Sequence, residues 1–154
     1  MSEFNHILFS AGGLALAARS ASIHSLHDGL VTSAEPGTSD WFSGVAVAEG
    51  RLLPITDLGL YLNGGTSTGR VIEVARDLGI AGLRIDEVHG VSRNRPEAIG
   101  PETSDAPVNE DSSHDGQWPV RNTAINDLGR RYRIVDIAHL VKSSRFLNVK
   151  CEPA

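Results

Sequence analysis

The side chains best suited to chemistry in this sequence are three histidines and one pair of acids. His24 and His27 are three positions apart, and His89 follows Asp86 and Glu87. Imidazole binds divalent metals and transfers protons near neutral pH. A metal centre needs three or four converging ligands, however, and this spacing brings only two imidazoles to one side of a helical turn. We therefore predict no metal and no cofactor, and interpret the histidines as exposed or hydrogen-bonded.

A glycine-rich run resembles a phosphate-binding loop only superficially. Residues 64–71 read Gly-Gly-Thr-Ser-Thr-Gly-Arg-Val, against the pattern G-x-x-x-x-G-K-[ST]. Arg70 stands where that pattern needs lysine, and Val71 where it needs the hydroxyl that binds magnesium. The residues that follow also look like a strand, so no helix N-terminus is available for a phosphate. We interpret the run as a flexible connection between two parts of the fold.

Nucleophilic catalysis has no recognisable set of residues. The sequence contains no G-x-S-x-G motif, and its single cysteine, Cys151, lies close to the C-terminus. One cysteine cannot form an intramolecular disulfide or a cysteine-based zinc site. Asp86 and Glu87 are adjacent, so on a strand their carboxylates face opposite ways and cannot act together on one bond. We predict that the protein is not an enzyme.

The composition favours a soluble domain. The 154 residues are 40% hydrophobic, which suffices for a core, and the formal net charge is -5. A negative chain without a basic cluster is a poor partner for nucleic acid, because phosphate binding depends on lysine and arginine. The longest apolar stretch near the N-terminus, Leu14 to Ala18, is too short to cross a bilayer. We predict a cytoplasmic protein that neither binds nucleic acid nor inserts into a membrane.

Short runs of β-forming residues recur along the chain and are separated by turn residues. Several of these turns contain glycine, which adopts a positive φ at little cost and so permits tight reversals. The pattern predicts a mainly β protein built from barrels or a sandwich. The predicted strand runs are 7–9, 45–48, 52–55, 70–74, 80–85, 120–125 and 132–135. The predicted turns are Gly12-Gly13, Glu49-Gly50, Gly64-Gly65 and Leu128-Gly129.

Two segments look like copies of one unit. Residues 45–62 and 124–141 share a hairpin, an aspartate and an apolar helical stripe at a constant offset of 79 positions, which pairs Gly50 with Gly129. The same offset pairs Leu53 with Tyr132, Ile55 with Ile134, Asp57 with Asp136, Leu58 with Ile137, Tyr61 with Leu140 and Leu62 with Val141. We therefore expect two subdomains with equivalent turns at Gly50 and Gly129.

Three residues of these segments have a predicted structural role. Asp57 and Asp136 stand where a strand gives way to helical spacing, so each carboxylate is expected to cap the first helical N–H groups. Pro54 lies inside a predicted strand and cannot donate a hydrogen bond to the ladder. This places that strand at an edge or a bulge, where a partner could dock.

Residues 94–119 depart from the strand pattern. The segment carries six acids, one base and four prolines, with little apolar content. We predict a long, mobile, acidic loop with Ile99 and Trp118 as its anchors to the core.

An ordered set of motifs resembles the CheW-like coupling proteins of bacterial chemosensory systems. Residues 41–58 read Trp-Phe-Ser-Gly-Val-Ala-Val-Ala-Glu-Gly-Arg-Leu-Leu-Pro-Ile-Thr-Asp-Leu, similar to an aromatic, G-V, a short strand and G-x-[LV]-[LV]-P-[IV]-x-D-L. Residues 82–91 look like the family's G-L-x-V-D-E-V-x-G-V segment, and residues 99–101 and 134–137 fall in the expected order. The resemblance covers residues 5 to 143.

The resemblance implies a fold and a function. It implies one CheW-like domain over residues 5–143, made of two small five-stranded β-barrel subdomains with short helices, followed by a C-terminal tail at 144–154. It also implies a scaffold that couples the cytoplasmic tip of methyl-accepting chemoreceptors to the regulatory domain of a CheA-type histidine kinase. Residues 144–149 look like the end of PilI, the member that serves type IV pilus systems, which implies a role in twitching motility.

Partner contacts are implied at the hairpin that carries the signature. The candidate partner-binding residues are Phe42, Gly44, Val45, Val47, Glu49, Gly50 and Arg51. The family commonly has Asn-Leu-Arg-Gly where this chain has Val47-Ala48-Glu49-Gly50, so a partner-contacting arginine is replaced by Glu49. The alternative to a chemosensory adaptor is a stand-alone β-barrel module that binds a peptide or small ligand.

Overall fold

Two β-sheets and two short helices make up the described part of the chain, which is residues 5–33, 37–98, 119–143 and 146 of a computed structural model. The strands are β1 (His6–Ala11), β2 (Leu14–Arg19), β3 (Ile23–His27), β4 (Phe42–Ala48), β5 (Arg51–Asp57), β6 (Val71–Val74), β7 (Gly82–Arg84), β8 (Glu87–Ser92), β9 (Glu97–Ala98), β10 (Val120–Asp127) and β11 (Arg130–Val135). The α-helices are α1 (Leu58–Tyr61) and α2 (Ile137–Lys142), and Ser20–Ser22 form a 3-10 turn.

The strands form two separate sheets. The first sheet has the order β8-β1-β2-β11-β10-β9, and the second has the order β3-β6-β7-β5-β4. Neighbouring strands are antiparallel except for β2 with β11 and β5 with β7. The predicted mainly β class with two sheet-built units is confirmed. The second sheet has five strands, and the first has five longer strands plus the two-residue β9 at its edge.

The second sheet curls until its two edges approach each other. Ser33, which follows β3, forms a bridge with Val45 on β4, although β3 and β4 are the opposite edge strands. The Ser33 N–H donates to the Val45 carbonyl at 2.8 Å, and the Val45 N–H donates to the Ser33 carbonyl at 3.2 Å. The right-handed twist of sheets favours such curling, which shortens the exposed edge.

One hydrophobic core extends across both sheets. It is formed by inward-facing residues of β1 and β2, such as Phe9 and Leu16, packed with residues of β6 and β7, such as Ile72 and Leu83. Helix residues including Tyr61 close this core. Each sheet also encloses a smaller cluster of its own. Such burial supplies the main favourable term in folding, so the two sheets stabilise each other.

The two glycine turns predicted to be equivalent occupy different sheets. Glu49 and Gly50 connect β4 to β5 with φ values of 53° and 77°, and Leu128 and Gly129 connect β10 to β11 with φ values of 53° and 73°. Positive φ at both central residues is the geometry that matches the twist of a two-residue hairpin. The equivalence of Gly50 and Gly129 in two separate units is confirmed.

Of the two alternatives for the strand of Pro54, an edge or a bulge, the edge is wrong, whereas the β4–β5 ladder does have a register shift, opposite Ile55 and Thr56. Strand β5 lies between β4 and β7, and the true edge of the second sheet on this side is β4. Pro54 pairs with Val45 on β4, and the ladder with β7 begins only at the next residue, Ile55. A residue without an N–H is tolerated there because the strand has no partner on its other side at that position.

Strands β2, β3, β8 and the two-residue β9 were missing from the predicted runs. Strand β2 reads Leu-Ala-Leu-Ala-Ala-Arg and has little β propensity, yet it is buried between β1 and β11. Strand β3 carries His24 and His27, so the helical turn considered for these histidines is wrong. Burial and strand pairing outweigh intrinsic preference in such segments.

Two aspartates begin the two helices. The Leu60 N–H donates to Asp57 Oδ1 at 3.1 Å, and the His139 N–H donates to Asp136 Oδ1 at 2.9 Å. Asp57 is buried and also accepts the N–H of Ser67 on both oxygens, at 3.1 and 3.0 Å. Partial burial alone would raise the pKa of Asp136, but hydrogen bonds from Arg121 and the His139 N–H bring that pKa below its ordinary value.

The predicted acidic loop and tail are described only in part. Glu97 and Ala98, inside the predicted loop, form β9 against β10. Ile99 and Trp118, the predicted anchors, lie outside the described residues. In the predicted tail, Phe146 is buried and stacks on Trp41 with ring centroids 6.3 Å apart. Part of the segment after residue 143 therefore belongs to the core.

Three glycines allow the two sheets to meet backbone to backbone. A Cβ at Gly59, in α1, would lie 2.4 Å from the Gly65 carbonyl oxygen and 2.7 Å from the Gly12 Cα. Gly12 is in the β1–β2 turn of the first sheet, and its carbonyl accepts the Gly65 N–H at 2.9 Å. Because the obstacles are backbone atoms, no side-chain rotation can relieve them.

We expect Gly59→Ala to destabilise the protein by about 3 kcal/mol or more, because the added methyl group forces two backbones apart. Urea unfolding followed by circular dichroism measures the change in the free energy of unfolding. Gly90→Ala is the matched control, since a Cβ there would meet only a Leu128 methyl at 4.0 Å. Equal stability of the two variants would contradict a close backbone contact at Gly59.

Candidate functional site

The predicted partner-binding residues lie together on the β4–β5 hairpin, at the edge of the second sheet. Their side chains do not all face solvent. Gly44 is buried at a bulge with φ of 118°, and Phe42 is half-buried and packs against the main core. These two residues shape the hairpin. Val47, Glu49, Gly50 and Arg51 are exposed and available to a partner.

An apolar pair stands on the outer face of this hairpin. Val47 and Leu52 are directly opposed across the two strands and are 63% and 70% exposed. The next pair on the same face, Val45 and Pro54, is half-buried. Four apolar side chains therefore form a continuous stripe, which we call the hairpin stripe. The outward face of a sheet normally carries polar residues, whereas this outward face carries apolar ones.

Charged residues surround the tip of the hairpin. The Arg76 guanidinium donates to Glu49 Oε1 at 2.9 Å, and its Nε lies 3.4 Å from Glu73 Oε2. His27 Nε2 lies 2.7 Å from Glu73 Oε1. Glu49 is thus paired within the chain. Arg76 and Glu73 were not among the predicted site residues, because a spacing of 27 positions along the chain does not show that Arg76 reaches Glu49.

Glu73 is the buried centre of this charge cluster. Burial alone would raise the pKa of its carboxyl, but hydrogen bonds from His27 and Arg76, together with the positive charge of Arg76, bring that pKa below its ordinary value. Its two oxygens have different neighbours, His27 at Oε1 and Arg76 at Oε2. The carboxylate is therefore ionised and held in one orientation at neutral pH.

His24 completes a group of metal-ligating side chains that spacing did not reveal. One ligand atom each of His24, Glu49 and Glu73 lie within 4.8 Å of one another. His24 is on β3, where a register shift between Ile23 and Ser25 interrupts the alternation of the strand. His89, the third histidine considered, lies instead in the first sheet, with Nδ1 2.8 Å from the Tyr132 hydroxyl.

The remaining candidates for chemistry serve the fold. In the glycine-rich run, the N–H groups of Ser67 and Gly69 donate to Asp57 and to the Ile85 carbonyl, so they are not directed at a phosphate. Asp86 accepts the N–H of Thr68 at 3.1 Å, whereas the adjacent Glu87 is exposed. The two carboxylates do not act as a pair.

Comparison with known proteins decides the family. The family model described as CheW-like domain matches residues 5–145. The chain belongs to the CheW-like domain family. Among solved structures, the chain is similar to the scaffolding protein TtCheW from Thermoanaerobacter tengcongensis, with a TM-score of 0.71 and 18% identity over 94% of this chain and 95% of that one. None of the curated proteins compared with the chain matches it.

Family membership fixes the class of function. CheW-like proteins are non-catalytic scaffolds that couple receptors to CheA in general, so the prediction that the protein is not an enzyme is confirmed. The protein is a scaffold of the chemosensory coupling class. In the described ranges, neither helix has the length and apolar character needed to span a bilayer.

We expect Glu73→Gln to flatten the dependence of stability on pH in the acid range. A carboxyl whose pKa is lowered by folding stabilises the protein above the ordinary glutamate pKa, about 4.3, and loses that contribution as the pH falls through the lower folded value. Urea unfolding at intervals from neutral pH downward measures this slope. Exposed Glu87→Gln is the control, and equal slopes for wild type and Glu73→Gln would contradict the assigned environment.

Proposed function

We propose that this CheW-like protein couples methyl-accepting chemoreceptors to a CheA-type histidine kinase through the β4–β5 hairpin. The observation that carries the proposal is the hairpin stripe on an edge strand, next to the charged tip at Glu49 and Arg76. A scaffold needs surface complementarity and no reactive group. An edge strand offers main-chain hydrogen bonds as well as side chains to a partner.

The hairpin stripe supplies the binding energy in this proposal. Burying a side chain such as Val47 or Leu52 is worth about 2 kcal/mol, so the pair can form the central contact of an interface. In the free protein neither side chain makes this hydrophobic contribution, because both are exposed to water. The main-chain groups of Val45 already bond Ser33, so the free edge of β4 begins beyond that bridge.

Arg76 can supply the positive charge that the family arginine would provide and that Glu49 does not. The guanidinium of Arg76 lies 2.9 Å from Glu49 Oε1, at the tip of the same hairpin, although it comes from the segment after β6. In the proposed interface Glu49 positions Arg76, and Arg76 supplies the positive group that contacts the partner. A rim charge of this kind acts mainly on partner choice and association rate.

The pathway and compartment are part of the proposal. The likeness of residues 144–149 to PilI supports a type IV pilus system that controls twitching motility. The chemoreceptor tips and the kinase that the proposal requires lie in the cytoplasm, which supports the same location for this chain. Comparing the affinity for pilus-associated and flagellar kinases tests the pathway.

We expect Val47→Asp and Leu52→Asp each to weaken binding to the kinase regulatory domain or the receptor tip at least tenfold, because a charge replaces an apolar contact. Isothermal titration with purified partners measures the affinity. Val91→Asp is the matched control, since Val91 is 64% exposed on β8 of the first sheet. If both hairpin variants bind like wild type, the hairpin is not the interface. If wild type binds neither partner, the proposed coupling is wrong and the alternative of a stand-alone binding module is favoured.

We expect Arg76→Ala to slow association with that partner and to reduce its dependence on salt, because screening weakens a charge contact at the rim. Stopped-flow or surface-based kinetics at low and high salt measure the rates. Glu49→Ala should change the free energy of unfolding by no more than about 0.5 kcal/mol, since the ion pair is exposed. Identical rates for wild type, Arg76→Ala and Glu49→Ala at both salt concentrations would remove the tip from the interface.

A further inference from the structure

We propose that His24, Glu49 and Glu73 form a binding site for Zn²⁺ that joins the two edges of the second sheet and displaces Arg76 from the hairpin tip. The site is independent of the proposed partners. It rests on the convergence of one imidazole and two carboxylates whose ligand atoms lie within 4.8 Å of one another. Imidazole with carboxylates suits zinc and similar first-row divalent ions, whereas magnesium prefers an all-oxygen shell.

The ligand side chains need to move only a small distance to bind zinc. Zinc bonds of about 2.0 to 2.2 Å at tetrahedral angles place ligand atoms about 3.4 Å apart. His24 and Glu49 are both exposed, so their side chains can move inward by the remaining distance without disturbing the core. Glu73 is buried and does not need to move.

Glu73 already has the surroundings of a metal ligand. His27 lies 2.7 Å from Oε1 and fixes the carboxylate, which leaves Oε2 directed at the charge cluster. Metal-bound side chains are commonly oriented by such a second hydrogen bond. His27 is therefore a positioning residue in this site, and three ligands leave the fourth position of zinc open to water.

Arg76 takes the place of the cation in the present arrangement. Its guanidinium contacts Glu49 at 2.9 Å and Glu73 at 3.4 Å, so it is paired with the same two carboxylates that zinc would bind. Zinc and Arg76 cannot both occupy this position. Arg76 is exposed and can move into solvent, so metal binding exchanges an internal cation for an external one and changes which charge the hairpin presents.

The site also has a mechanical consequence. His24 belongs to β3 and Glu49 to the turn after β4, and these are the opposite edge strands of the second sheet. The described main-chain link between these edges is the Ser33–Val45 bridge. A metal bound to both edges closes the curled sheet at a second point and stabilises the folded state through binding.

Isothermal titration of Zn²⁺ into the full chain without a histidine tag tests the site, in a Cys151→Ser background that removes the single thiol. We expect one zinc per chain at micromolar affinity, a higher melting temperature with zinc, and no binding of Mg²⁺ at the same concentrations. His24→Ala and Glu49→Gln should each weaken binding at least tenfold. Arg76→Gln should strengthen binding about five- to tenfold, because it removes the competing ion pairs.

Glu87→Gln is the matched control, because Glu87 lies 3.7 Å from His89 as a glutamate–histidine pair on the first sheet. Its zinc affinity should equal that of the parent chain. Absence of micromolar zinc binding, or equal affinity in His24→Ala, Glu49→Gln and the parent, would overturn the site. Unchanged affinity in Arg76→Gln would overturn the exchange with Arg76.

Discussion

The contact among Gly12, Gly59 and Gly65 is the constraint on which the arrangement of the two sheets depends. It brings the β1–β2 turn of the first sheet against α1 and the loop that follows α1. Dispersion forces fall off steeply with distance, so even a small separation at this point would loosen the shared core around Tyr61 and Leu14. Asp57 extends the constraint to β5, since it ends that strand and caps α1. The hairpin that β5 forms with β4 is thereby held in a fixed position relative to the first sheet.

The internal repeat gives the protein two similar hairpins with different surfaces. The tip of the β4–β5 hairpin carries Glu49, which is held by Arg76, whereas the equivalent tip of the β10–β11 hairpin carries exposed Leu128. The backbone geometry of the two turns is nearly the same. The two turns therefore share a backbone geometry while the exposed residue is charged in one and apolar in the other. Two such tips can distinguish between partners of different chemistry without any change in the scaffold.

The sequence was sufficient where local rules decide the structure. Turns at Gly50 and Gly129, caps at Asp57 and Asp136 and strands rich in valine and isoleucine all follow from short-range preferences. The sequence was insufficient where distant segments decide. Strand β2 is rich in alanine and is a strand because β1 and β11 enclose it. Pro54 lacks a strand partner only on the side of β7, because β4 pairs with it on the other side.

The sequence predicted which segment forms the candidate site, but not which of its side chains are exposed or which distant residues lie beside them. Residues 42–51 were identified by resemblance, but the resemblance did not show which face of β4 is buried, with Gly44 on one side and exposed Val47 on the other. Arg76, Glu73 and His24 join the hairpin only because the second sheet curls and brings its edges together. Spacing along the chain contains no information about such closure. The spacing of His24, Glu49 and Glu73 along the chain therefore does not reveal the cluster.

The parallel pairing of β2 with β11 has a consequence for how the chain folds. Leu16 pairs with Arg133 and Ala17 with Ile134, so the first sheet needs strands from both ends of the described chain. The second sheet is built from residues 23 to 84 and lies between them in the sequence. During synthesis on the ribosome, the second sheet can form while β1 and β2 still expose their apolar faces. Strand β2 must wait for the last hairpin to gain its second neighbour, and pairing of such distant segments is slow and prone to aggregation. The nascent chain is therefore most in need of chaperone protection before β11 has left the ribosome.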